Sequence, residues 1–114
     1  VWATVREDRD GETVFDPSGE LRKFTRGRIN WSGRDPDWKD VLGFRGANDV
    51  ESPVNEWTQV EVTCRRNSIQ IRVNGKLVNQ ASDITPTSGK IMFQSEGAEI
   101  FFRRIELHPL TNKT

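Results

Sequence analysis

The dipeptide Asn74-Gly75 constrains this chain more tightly than any other feature in it. Two adjacent residues that accept positive φ, set between alternating apolar residues, specify a two-residue type I′ hairpin turn. Before the turn, Ile69, Ile71 and Val73 alternate with Gln70, Arg72 and Asn74. Counting outward sets Val73 opposite Lys76 and Ile71 opposite Val78. Further upstream, Val60, Val62 and Cys64 alternate with Glu61, Thr63 and Arg65, and Arg66-Asn67-Ser68 turns the chain. Period two in all three segments predicts an antiparallel meander. No segment carries a capped apolar period of 3.6, so the chain reads as all-β.

Residues 89–110 repeat the pattern. Lys90 to Ser95 and Glu99 to Leu107 read as two strands joined at Glu96-Gly97-Ala98. Alternation puts Ile91, Phe93, Ile100 and Phe102 on one face, with Arg104 in phase. Met92, Gln94, Phe101, Arg103 and Ile105 fall on the other. Pairing across the turn brings Phe93 near Phe102, and Gln94 and Arg103 onto a shared face. That face mixes an amide, a guanidinium and apolar groups, as a binding surface or a half-covered one would.

The earlier half is polar and rich in turns. Val1 to Val5 is strand-like, Arg6 to Gly11 a turn, Glu12 to Phe15 a short strand, and Asp16 to Gly19 a second turn. Leu21 to Ile29 alternates poorly and predicts one irregular strand. Asn30 to Trp38 sets two indoles in a loop of Gly, Pro, Asp and Ser. Trp31 and Trp38 suit stacking on a sugar ring or packing over a sheet edge. Trp57, which precedes an apolar strand, reads as core.

At 114 residues the chain is one domain, residues 1–114, with seventeen Lys plus Arg against seventeen Asp plus Glu. That balance provides no net field to favour nucleic acid or anionic lipid. Arg6, Arg9, Arg22, Lys23, Arg26 and Arg28 cluster, but interleaved Asp and Glu make a mixed, solvated face. No apolar run reaches membrane-spanning length. The one cysteine, Cys64, is in phase with Val60 and Val62 and is expected to be a buried small hydrophobe. One His and one Cys are too few for a zinc site.

Acid/base chemistry on sugars commonly uses two carboxyl groups, and Glu96 and Glu99 flank the last turn. Against catalysis, Glu96 serves equally as a turn residue and Glu99 as an ion-pair partner of an Arg. Gln94 and Arg103, on one face of adjacent strands, can hold hydroxyl or carbonyl oxygens in fixed geometry. Arg103 can equally pair with Glu61 or Glu106. No Ser-His-Asp set and no Gly-rich phosphate loop is present.

Several segments together resemble the 3-keto-disaccharide hydrolase domain family. They are Gly89-Lys90-Ile91, Gln94 to Glu99, Phe102-Arg103-Arg104-Ile105 and Pro109-Leu110. Asn55-Glu56-Trp57 and Val73 to Asn79 sit where that family places its "GEWN" and "NGxxVN" segments, with Asn55 for the usual Gly and Thr58 for the usual Asn. The family is similar to the concanavalin A-like lectin/glucanase jelly-rolls, and its members act as 3-keto-glucoside lyases and 3-keto-2-hydroxyglucal hydratases. The resemblance implies an antiparallel β-sandwich and a 3-keto-glycoside substrate. It also implies catalytic roles for Glu96, Glu99 and Arg103 and substrate binding by Gln94, with Trp31 and Trp38 as stacking candidates.

The resemblance covers about the C-terminal half of the family domain. A half-sandwich bares an apolar face, and either an upstream segment or a second copy is expected to cover it. No cofactor is evident; a divalent cation would suit the chemistry, but its ligands are not identifiable. A secreted or periplasmic address follows from the resemblance alone. Two other readings stand beside the enzyme: a non-catalytic carbohydrate-binding module on the same sandwich, and an interaction domain.

Overall fold

The computed structural model describes residues 1–110. Its six strands are β1 (Trp2–Glu7), β2 (Thr13–Phe15), β3 (Glu20–Lys23), β4 (Val60–Arg65), β5 (Ser68–Val73) and β6 (Lys76–Ala81). They form two three-stranded antiparallel sheets, in the orders β2-β1-β3 and β4-β5-β6. No helix occurs among the described residues. The architecture is all-β, consistent with a β-sandwich. The sheets meet where Trp2 and Ser82 exchange backbone hydrogen bonds of 2.8 and 2.9 Å.

The second sheet forms for the reasons its sequence gives. Asn74 and Gly75 take φ of 49° and 83°, the positive pair of a type I′ turn. Val73 lies opposite Lys76, but Ile71 lies opposite Asn79, not Val78, because the register shifts between Ile71 and Arg72. A bulge inserts one extra residue, and that residue is Val78. Val78 is 1% exposed and packs with Val73 and Val50, Ile71 lying against them. Its carbonyl accepts the Ser32 N–H at 2.8 Å, which ties the long β3–β4 connection to β6.

Cover over this apolar face is uneven. Val73 is fully buried, whereas Val60 and Val62 on the edge strand β4 remain 50% and 52% exposed. Cys64, expected to be buried, is exposed. Trp57, expected in the core, is 49% exposed. Cys64 shares the face of Val60 and Val62, but β4 is an edge strand beyond the cover that Val50 gives to Val73 and Val78, and Trp57 lies in the loop just before it. In the first sheet the buried set is Ala3, Val5, Val14 and Phe15.

Residues 89–110 depart most from expectation. The predicted strands Lys90 to Ser95 and Glu99 to Leu107 do not form ladders. The tight turn is present, with Gly97 at φ 70°, and Phe93 and Phe102 meet at 5.1 Å between ring centroids. Arg104 at φ 52° breaks the extended path that a strand through residue 107 would need. Ile91, Met92, Phe93, Phe101, Ile105 and Leu107 are all exposed. Alternation supplies two faces, but a ladder also needs a neighbouring strand.

Candidate functional site

The β3–β4 connection, residues 24–59, has no strand of its own and is held by side chains. Long loops on a rigid scaffold are where binding residues concentrate, and this one is ordered by its own contacts. Two aspartates bracket it. Asp35 accepts the N–H groups of Asp37 and Asn48, each at 2.8 Å. Asp49 accepts those of Asp35 and Gly46 at 2.7 and 2.8 Å. The two donations to Asp49 hold its carboxyl below the usual range, with burial opposing and Arg45 and Arg34 adding a smaller attraction.

Close packing completes the bracket. A Cβ at Gly46 would stand 2.2 Å from the Asp35 Cβ, so only glycine lets these two segments of the loop approach. Gly33, at φ 103°, presses on Val50, and its carbonyl accepts the Val50 N–H at 2.7 Å.

Opposite this loop is the β1–β2 turn. Asp8 shapes it by accepting the N–H groups of Asp10 and Glu12 at 2.8 and 3.0 Å. Between turn and loop lies a cleft of about 980 Å³, a size that suits a small carbohydrate. Its cations are Arg6, Arg9, Arg28 and Arg34, and its carboxylates are Asp8, Glu12, Asp49 and Glu51. Glu12 accepts a hydrogen bond from Asn30 Nδ2 at 2.8 Å and faces the Arg28 guanidinium at 3.8 Å. Arg6 faces Asp16 at 3.7 Å.

Both loop indoles line this cleft, in different states. Trp31 is 38% exposed, so part of its ring is open to a ligand. Trp38 is 8% exposed, with the Arg9 and Arg34 guanidiniums each 3.7 Å from its ring centroid. Two planar cations at that height exclude one another from a single face, so the indole is sandwiched between them. Its flat surfaces are occupied by arginine.

Gln94, Glu96, Glu99 and Arg103 line neither this cleft nor the smaller apolar cavity between residues 24–29 and the β5–β6 pair. All four lie exposed on the C-terminal segment. Arg103 pairs with neither Glu61 nor Glu106; its guanidinium lies 4.1 Å from the Trp57 ring centroid. Glu106 instead contacts His108 at 3.1 Å. Glu99 forms no ion pair among the described residues.

The arginines of the first thirty residues do form the mixed face their sequence suggests. Arg22 pairs with Glu7 and Glu20, and Arg28 with Glu12. What charge counting misses is that part of this face turns inward to wall a cleft. Among the described residues no three His, Cys, Asp or Glu side chains group as a metal ion would require. No helix among them is long and apolar enough to cross a membrane.

The two sheets and the cleft beside them define an all-β domain consistent with a β-sandwich. The chain belongs to the 3-keto-alpha-glucoside-1,2-lyase-like domain family, whose model matches residues 5–108. No curated protein and no solved structure matches it. The family name points to a carbohydrate enzyme domain acting on 3-keto-glycosides. Asn55, which stands for the family's usual Gly, takes φ 72°, a conformation Asn tolerates better than most side chains.

Proposed function

We propose that this domain binds a 3-keto-glycoside in the cleft between the β1–β2 turn and residues 28–51 and promotes its elimination. The family match supports this substrate class. The observation that carries the placement is the cleft itself, where an open indole, Trp31, shares walls with guanidiniums and carboxylates. Trp31 offers an apolar face to the sugar ring.

A ketone at C3 acidifies the C2 proton. A carboxylate takes that proton, the electron pair forms the C1–C2 double bond, and the C1 substituent leaves with the pair of its C–O bond. The product is a conjugated 2-hydroxyglycal enone, and addition of water across it completes a net hydrolysis. The chemistry needs a base and a cation near the carbonyl where enolate charge develops. Glu12 and Arg28, adjacent at 3.8 Å with Glu12 oriented by Asn30, supply that pair.

A second reading rests on the Arg103–Trp57 stack, which joins two segments that carry the family resemblance. In it Arg103 polarises the carbonyl, Gln94 holds a hydroxyl, and Glu96 or Glu99 exchanges the proton. A turnover assay decides between the two, following enone absorbance with a 3-keto-glucoside beside its unoxidised parent. Glu12→Gln and Arg28→Gln are expected to lower turnover about 100-fold or more, with Arg103→Ala and Gln94→Ala close to wild type. The reverse pattern moves the chemistry to the C-terminal segment. Binding of both sugars without turnover of either leaves a carbohydrate-binding module.

A further inference from the structure

The stack around Trp38 is more than a clasp. Arg9 and Arg34 both line the cleft, yet among the described residues neither donates a hydrogen bond or has a carboxylate within ion-pair distance. The cleft's other cations are matched, Arg6 by Asp16 and Arg28 by Glu12. Three of its four carboxylates are engaged as well. Asp8 and Asp49 hold backbone N–H groups, and Glu12 holds Asn30 and Arg28, which leaves only Glu51 without a partner. Formal charge across the cleft is balanced, four guanidiniums to four carboxylates, and Arg34 attracts Asp49 from beyond ion-pair distance. What sets Arg9 and Arg34 apart is N–H donors left without acceptors, side by side on one indole.

Their geometry is set in advance. A guanidinium stacked on an aromatic ring uses its face and leaves its in-plane N–H groups free, in the fork that fits a carboxylate. Arg34 adjoins Asp35, whose carboxylate is locked by two backbone donors, and the Trp38 backbone N–H donates to the Asp35 carbonyl at 3.0 Å. The indole that orders both cations is thus held by the most constrained part of the loop, so little side-chain freedom remains to be lost on binding.

We infer that Arg9 and Arg34 form an anion subsite, and that the preferred ligand of this cleft is a carboxylate-bearing sugar, a hexuronide in place of a neutral hexoside. The inference rests on the cleft being the sugar site. Its test compares calorimetric affinity for a glucuronide and for the glucoside with the same aglycone, at low and at about 0.5 M salt. Wild type is expected to bind the glucuronide about tenfold more tightly at low salt, with most of the advantage lost at high salt. Arg9→Gln and Arg34→Gln are each expected to erase most of that ratio while glucoside affinity changes little.

Equal wild-type affinities for the two sugars overturn the inference, and need no variant to be folded. So does a ratio that survives both substitutions, which would leave the stack purely structural. Turnover of a neutral 3-keto-glucoside without any anionic preference removes this inference alone, whereas failure of a 3-keto-glucoside to bind as well removes the cleft assignment with it.

Discussion

Asp35→Ala is the sharpest perturbation of the cleft's framework. Asp35 is 5% exposed, and its two carboxylate oxygens accept the N–H groups of Asp37 and Asn48 at 2.8 Å each. Hydrogen bonds to a carboxylate contribute roughly 1.5–3 kcal/mol apiece. Relief of the carboxylate's own desolvation and partial rehydration of the freed N–H groups offset part of the sum, which leaves a net loss of about 2–4 kcal/mol. Against a stability of about 5–15 kcal/mol for a small domain that is a large fraction.

Urea unfolding followed by tryptophan fluorescence reads it. With a slope of roughly 1.5 kcal/mol per molar, a 3 kcal/mol loss lowers the midpoint by about 2 M. Asp35→Asn keeps one acceptor and is expected to lose about half as much. Gly46→Ala forces a Cβ to within 2.2 Å of the Asp35 Cβ and is expected to act in the same direction. A change below about 0.5 kcal/mol in Asp35→Ala, the range of an ordinary surface substitution, would refute the claim that this carboxylate holds the loop.

Val73→Ala, at a fully buried position, is expected to cost about 2–3 kcal/mol in the same assay. Val62→Ala, half exposed on β4, should cost under about 1 kcal/mol, so equal losses would contradict the uneven cover of this face. Asn55 at φ 72° predicts that Asn55→Ala destabilises by about 1–2 kcal/mol while Asn55→Gly does not; identical melting of the two variants would argue against that backbone. The depressed carboxyl of Asp49 fixes the sign of an acid effect. A folded-state value below the unfolded one, about 4, gives stabilisation that is complete above that pH and is lost as pH falls through the folded value. Acid unfolding of Asp49→Asn should therefore be less steep below about pH 4 than that of wild type, and parallel curves would contradict it.

The β4-β5-β6 meander was legible because period-two alternation and Asn74-Gly75 are local signals that agree. The bulge at Val78 was not, because it answers to Val50 and Ser32, residues of a loop that no alternation describes. Burial at Cys64 failed for a related reason: phase along a strand tells which side a residue faces, and cover depends on what else reaches it. Trp57, in the loop before β4, has no strand phase at all. In residues 89–110 the turn and the Phe93–Phe102 contact were readable, while ladder formation depends on neighbours that the pattern does not encode.

At the candidate site, the placement of Trp31 and Trp38 in one polar loop was visible. That Arg9 would close over Trp38 was not, because the two residues meet only through the fold. The one available hint was the pairing of Asp-Pro-Asp at residues 35–37 with Asn48-Asp49. Asp and Asn side chains can cap backbone N–H groups, as Asp35 and Asp49 do, and they mark a loop with internal order.

The cleft assignment is tested most directly by the indole N–H signals of the four tryptophans during titration with a 3-keto-glucoside, read by heteronuclear NMR. The account predicts that the Trp31 signal moves with saturating dependence on ligand while those of Trp2 and Trp57 stay in place. Movement of Trp57 with Trp31 unchanged would put the sugar against Arg103 and contradict it.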